Sequence, residues 1–312
     1  VNVALSLPGP RRTTARLHVA VADPALLPAA RRIAESVQRE ASRRVDLDRP
    51  RATAWRLLRA DGAAVVVGPT YARLVEAALA ASRATGGLVD PTVGNAVHAH
   101  LSRLRGADLS ARLGPLPVCS SLAPARPRPA AGADAVRVTG PAVAVPAGTL
   151  LDLAATTDAV VASAAARAVA DRLRTGVLVE VGGDVAQAGP APAGGWGVGL
   201  PCGAVVRLPA GRGASTVRPA SHRPVVDPRT GAVVEPVWVS VTVVHPDLLH
   251  AKAFALAAAA LGVAAPDWLG TRGACFRLLA ADGRVLTSPG WPHDVRAHGT
   301  AVPRPRRYAV AS

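Results

Sequence analysis

Val177-Leu178-Val179-Glu180-Val181-Gly182-Gly183-Asp184 is an apolar run that ends on two glycines and an acid. The apolar residues predict a strand over residues 177–181. The glycine pair predicts a tight turn with positive φ and a close approach of the backbone to its neighbours. Upstream, residues 158–174 are alanine-rich and closed by Gly176, which predicts a helix leading into the strand. Downstream, residues 237–244 are almost wholly apolar and predict a central strand. Residues 248–261 predict a further helix, with Pro246 and Asp247 near its start and Gly262 after its end.

The pattern extends to both ends of the chain. Residues 16–22 alternate as a strand, and residues 28–44 place Ile33, Val37 and Ala41 at helical spacing. Residues 63–67 predict a short strand, and residues 71–85 a helix closed by Gly86-Gly87. A strand is predicted within residues 143–153, and a hairpin from residues 196–200 and 204–208. Residues 276–280 and 284–287 flank an Asp282-Gly283 turn. Residues 122–133, rich in Pro, Ala and Arg, predict a loop. Helices and strands mix without strict alternation and without a repeat, which predicts an α+β (mixed α/β) fold.

The 312 residues suffice for one large domain or two lobes sharing a core. Half of the residues are hydrophobic but only 3% are aromatic, so the core must be built from Val, Leu and Ala. The net charge of +15 points to an anionic partner. Lys252 is the only lysine, however, and the arginines are scattered with no aromatic residues between them. A GC-rich coding bias explains this better than nucleic-acid binding, and no nucleic-acid partner is expected. Cys119, Cys202 and Cys275 form no CxxC, which argues against a zinc site or a disulfide framework and for reduced, buried thiols. Residues 1–10 do not read as a signal peptide. The longest apolar stretch, residues 253–265, is too short to cross a bilayer. The expectation is a soluble, cytoplasmic chain without a membrane span.

Four segments occur in a telling order: Gly86-Gly87-Leu88-Val89-Asp90-Pro91-Thr92-Val93-Gly94, Leu151-Asp152-Leu153-Ala154-Ala155-Thr156-Thr157-Asp158, the opening run at 177–184, and Ser221-His222-Arg223-Pro224-Val225-Val226-Asp227-Pro228-Arg229-Thr230-Gly231. On these segments the chain resembles the ApbE family of FAD:protein FMN transferases, over roughly residues 16–291. The resemblance implies a single T-fold-like domain, with central mixed sheets flanked by helices, over residues 16–291. Residues 1–15 would then be an N-terminal extension, residues 122–133 a loop insertion, and residues 292–312 a basic C-terminal tail.

The resemblance also implies the chemistry. Such enzymes bind FAD as substrate with a divalent metal, usually Mg²⁺. They transfer FMN to a Thr or Ser hydroxyl of an acceptor protein, and AMP leaves. Leu88, Val89 and Asp90 occupy positions that contact FAD, as does Asp152. Ala155 occupies the position whose backbone carbonyl reaches the metal, and Asp158 replaces the family's Lys or Glu among the cofactor contacts. From the fourth segment, Val225 or its neighbour packs on a ring of the cofactor, Asp227 joins the binding loop, and His222 is the best general base, since its unperturbed pKa is about 6.5.

The residues by themselves leave other readings open. Asp90 with Pro91 and Thr92 also makes a turn or helix cap. Asp158 also suits a helix N-terminus facing the dipole. His222 and Asp227 also suit a loop held by backbone hydrogen bonds.

The chain departs from the family where the metal should bind. The metal helix normally carries an Asp and, four residues later, a Thr; here those positions are Lys252 and Leu256. Lysine brings positive charge to the metal position and leucine has no oxygen, so Mg²⁺ is expected to be weakened or lost. The family's signature near residues 45–59 is missing, and the element at Ala214-Ser215-Thr216-Val217 is eroded. Two outcomes follow: a working transferase with an altered charge arrangement, or a catalytically impaired FAD-binding homologue acting as carrier or partner.

Overall fold

The computed structural model describes residues 15–45, 47, 52–113, 127–220, 223–292 and 294–295. Residues 1–14, part of the 122–133 loop, His222 and the tail from residue 296 lie outside the described residues.

Strand β1 (Leu17–Val21) is followed by helices α1 (Leu27–Val45) and α2 (Thr53–Arg59) and strand β2 (Val65–Val66). Helices α3 (Pro69–Thr85) and α4 (Gly94–Leu113) lead to strands β3 (Arg137–Thr139) and β4 (Ala142–Ala144) and helix α5 (Ala154–Leu173). Strands β5 (Val177–Val181), β6 (Asp184–Ala188), β7 (Trp196–Gly199), β8 (Val205–Leu208), β9 (Gly213–Val217) and β10 (Trp238–His245) come next. Helices α6 (Leu248–Leu261) and α7 (Ala265–Thr271) precede strands β11 (Cys275–Ala280), β12 (Val285–Thr287) and β13 (Asp294–Val295).

Seven strands form one sheet in the order β1-β5-β6-β9-β10-β11-β12. Every pairing in it is antiparallel. Side chains alternate between its faces, as the pleat requires. Val177, Val179, Val181, Val217, Val241, Val243 and Leu278 face a helical layer made by α1, α3, α5 and α6. Leu178, Val185, Ala214 and Val244 face the other way, against Trp196, Val198, Val206 and Leu208 of the hairpin β7–β8. A small sheet of β13, β8 and β7 thus covers the second face, and a second small sheet joins β2, β4 and β3.

Alanine sets the spacing of the helical layer. Ala159, Ala162, Ala165 and Ala166 of α5, and Ala251, Ala255, Ala258 and Ala259 of α6, are all buried. Such short side chains let α5 sit directly on β5 and β6, with α1 and α6 alongside. Helix α6 starts where the sequence predicts, because the Asp247 carboxylate accepts from the backbone N–H groups of Leu249 at 2.7 Å and His250 at 3.4 Å. The stretch Leu248–Thr271 is long and apolar enough to cross a membrane by length and composition, yet 61% of its 18-residue apolar window is buried inside the protein, as in a core helix.

Three expectations change. Helix α5 begins four residues before residue 158, so Asp158 lies in its second turn and not at the dipole end. The strand predicted in residues 143–153 is confined to Ala142–Ala144. Helix α4, which follows Gly94, was not expected.

Gly94 shows why the first motif ends in glycine. A Cβ built there would run into the Leu150 carbonyl and come within 2.9 Å of the Leu151 carbonyl carbon. Backbone cannot yield as a flexible side chain does. Gly94→Ala is therefore expected to lower stability by about 3 kcal/mol, the upper part of the over-packing range, measured as a lower urea midpoint at unchanged m. An unchanged midpoint would show that the α4 start and the Leu150–Leu151 segment separate freely.

Candidate active site

The charged centre lies where the N-terminal half of α5, the start of β6 and the second turn of α6 meet. Asp184 opens β6 directly after the glycine turn and is fully buried. The Ser215 hydroxyl on β9 donates to its Oδ1 at 2.6 Å. Lys252 Nζ lies 3.1 Å from its Oδ2 as a buried ion pair. Gly182 allows this convergence: it adopts φ +60°, and a Cβ there would collide with Asp158 Oδ2. Glycine thus serves both the turn and the approach of α5 to the strand end.

The Asp158 residue retains some solvent-accessible surface. Its carboxyl is nevertheless well surrounded, and burial is the main reason its pKa is pushed up to about 6; nearby Asp184 raises it further, while Lys252 and Arg223 oppose the rise. Burial likewise pushes Asp184 up, against Lys252 and the Ser215 hydrogen bond. Glu180, on the opposite face of β5, is raised to about 7 by burial, opposed by Arg218 and assisted by Asp184. Asp152 adds a third buried carboxylate to the face of Asp158 and Asp184. Its Oδ1 accepts from Ala154 N at 3.0 Å and from the Arg223 guanidinium in a very close ion pair. Burial, and then the Asp152 carboxylate, push the Tyr71 phenol above its usual range. Asp152, Asp158 and Asp184 with Lys252 and Arg223 leave one negative charge in excess, poised for protonation near neutrality.

The other expected site residues make local contacts. Asp90 accepts from Thr92 N at 2.7 Å, Thr92 Oγ1 at 2.6 Å and Ala133 N at 2.8 Å, which ties residues 90–92 to residue 133. Asp227 binds the Arg229 guanidinium with both oxygens, each at 2.9 Å, and its pKa is lowered mainly by that bond. Its main-chain carbonyl also closes the turn to Gly231. Val225 pairs with Val234 through a backbone bond of 2.8 Å and packs on the main core. Leu88 and Val89 join Ala253, Ala257 and Leu256 in a small apolar cluster. Ala155 lies in the first turn of α5, beside the Asp152 bond.

The residues at the expected metal positions do not fit a divalent ion. Lys252 places an ammonium against Asp184, and Leu256 is packed among apolar side chains. Among the described residues no three His, Cys, Asp or Glu side chains converge as metal ligands. A surface cavity of about 260 Å³, lined by Ser163, Arg167, Gln187, Arg212 and Asp247, shares none of the charged cluster's residues. The cluster, with its perturbed carboxyls, is the better guide to chemistry.

The ApbE family model matches residues 12–275. The chain belongs to the ApbE family. Solved structures agree in fold. An ApbE protein from Thermotoga maritima superposes with a TM-score of 0.67 at 22% identity, covering 88% of this chain and 94% of its own. The apo flavinyl transferase ApbE of Pseudomonas stutzeri gives 0.65 at 18% identity, covering 88% of this chain and 96% of its own. The flavin transferase ApbE of Vibrio cholerae gives 0.61 at 18% identity, covering 91% and 96%. A comparison with curated proteins by sequence finds no match. This ApbE chain therefore holds the family fold with an internal cation at its centre. Sequence reasoning missed Ser215, Tyr71 and Arg223 as members of the centre. Arg223 was visible within the fourth motif, but its partner Asp152 was not.

Proposed function

We propose that this ApbE chain transfers FMN from FAD to a Thr or Ser hydroxyl of an acceptor protein, with AMP as the leaving product. Family membership supports the reaction class, and one observation carries the local assignment: the Asp158 carboxyl lies against the Gly182 turn, within electrostatic reach of Asp184, Lys252 and Arg223. In this reading the acceptor oxygen attacks the FMN phosphorus and a P–O bond to the AMP moiety breaks. The hydroxyl proton passes to Asp158, whose raised pKa suits an acceptor working near neutrality. Lys252 and Arg223 balance the charge that accumulates on the phosphate oxygens. Leu88 and Val89 offer an apolar surface to the flavin or adenine.

Purified protein incubated with FAD, Mg²⁺ and a threonine-bearing acceptor peptide tests the proposal by mass spectrometry. A peptide gain equal to FMN, with one AMP released per event, is the expected result. FAD binding without any mass gain would instead assign the chain to flavin carriage.

A further inference from the structure

We propose that Lys252 is the built-in cation of this site, so that FAD is bound and FMN transferred without a divalent metal ion. The inference rests on the transferase reading above and specifies how that site neutralises its phosphates.

Three observations carry it. First, the ammonium is fixed rather than wandering. Lys252 projects from the second turn of α6 onto a fully buried carboxylate, and its own side chain is only 10% exposed. Asp184 cannot swing away, because Ser215 holds its other oxygen.

Second, apart from the Asp158 carboxylate, the side-chain oxygens that a metal would need are engaged or missing. Asp184 holds the ammonium, Asp152 holds Arg223, and Leu256 contributes no oxygen. A small divalent ion needs several oxygen ligands in near-ideal geometry, and the ammonium beside it would repel it.

Third, the residue choice is pointed. This is the single lysine among 36 basic residues. Elsewhere the chain uses arginine, a broad planar fork. Here it uses a compact point charge, the nearest side-chain equivalent of a small ion. Arg223, tied to Asp152 at the mouth of the same cluster, supplies the second positive charge.

The experiment uses the full wild-type chain. FAD affinity is measured by flavin fluorescence in excess EDTA and again in millimolar magnesium, and transfer to the acceptor peptide is followed in both. Affinity and rate are expected to agree within about twofold between the two conditions. Lys252→Gln is expected to weaken FAD binding by about tenfold or more, with no recovery on adding magnesium. A tenfold or greater loss of FAD affinity in EDTA overturns the inference, whether or not transfer occurs. Metal-independent binding without transfer in either condition leaves Lys252 as the cation and removes the transferase reading. No FAD binding in either condition removes both. Unchanged FAD affinity in Lys252→Gln overturns the role of Lys252. If that variant does not fold, Lys252→Arg, which keeps the charge and is expected to keep metal-independent binding, takes its place, and the wild-type comparison still decides whether a metal is needed.

Discussion

Lys252→Leu is expected to cost this ApbE fold about 3–5 kcal/mol near neutral pH, the usual penalty for removing one partner of a buried ion pair. The reason is what remains. Asp184 stays fully buried with only Ser215 to bond it, and Asp158 lies close by with the same charge. Two like charges then share a low-dielectric site without their main counter-ion. The loss should depend on pH, and its sign is fixed. Burial already raises Asp184 and Asp158 above their ordinary values. A carboxyl whose folded pKa is raised binds its proton more readily when folded, so its contribution is fully present below the unfolded value and lost as pH rises through the folded value. The deficit of the variant should therefore shrink at about pH 5 and be greatest at about pH 8. Adding Asp184→Asn should recover part of the loss, since the amide keeps a partner for Ser215 and carries no charge. Urea unfolding of the three proteins at both pH values measures this. A deficit that is equal at the two pH values would refute the electrostatic account.

Asp158→Asn should move stability and activity in opposite directions. The carboxyl pKa is raised from 3.8 to about 6, chiefly by burial. That shift corresponds to about 3 kcal/mol of penalty for carrying the charge in the folded state, present above about pH 6 and absent below the unfolded value. Asparagine keeps the shape and removes the charge, so a gain of about 2 kcal/mol is expected at pH 8 and none at pH 4. Transfer should fall by roughly a hundredfold or more, because the proton acceptor is gone, while FAD affinity stays within about threefold. A variant that transfers FMN at the wild-type rate would exclude Asp158 as the acceptor. One that is no more stable at pH 8 would show that its charge is better compensated than its neighbours indicate.

The fold was legible in the sequence wherever apolar period and punctuation agreed. Strand β5 and the turn to Asp184 follow from five apolar-rich residues and two glycines, and α6 follows from its Asp247 cap. The start of α5 was misplaced because its N-cap residue, Leu153, has no capping side chain: Asp152, one residue earlier, accepts from Ala154 N instead, and the Thr156 and Thr157 hydroxyls bond back to the Leu153 carbonyl. Helix α4 was missed although Val97, Leu101 and Leu104 stand at helical spacing, so that its signal was present in the sequence. The site was legible in its parts and not in its pairings. Asp152, Asp158, Asp184 and Lys252 were all visible as residues within motifs. That Arg223 meets Asp152, or that Lys252 meets Asp184, follows only from the sheet and helix layers that bring distant segments together. At Asp90 and Asp227 the motif positions were visible, and their internal bonds to Thr92, Ala133 and Arg229 were not.

Among the described residues strand β1 lies at one edge of the main sheet, paired with β5 alone. As the chain leaves the ribosome, β1 and α1 emerge early, but more than half of the sequence must be made before β5 exists. Until then Ala30 and Ala34 of α1 have neither α5 nor the sheet to cover them. Closing so long a loop is slow, so β1 and α1 stay without their partners through that stretch of synthesis and lie open to chaperones and proteases in the nascent protein.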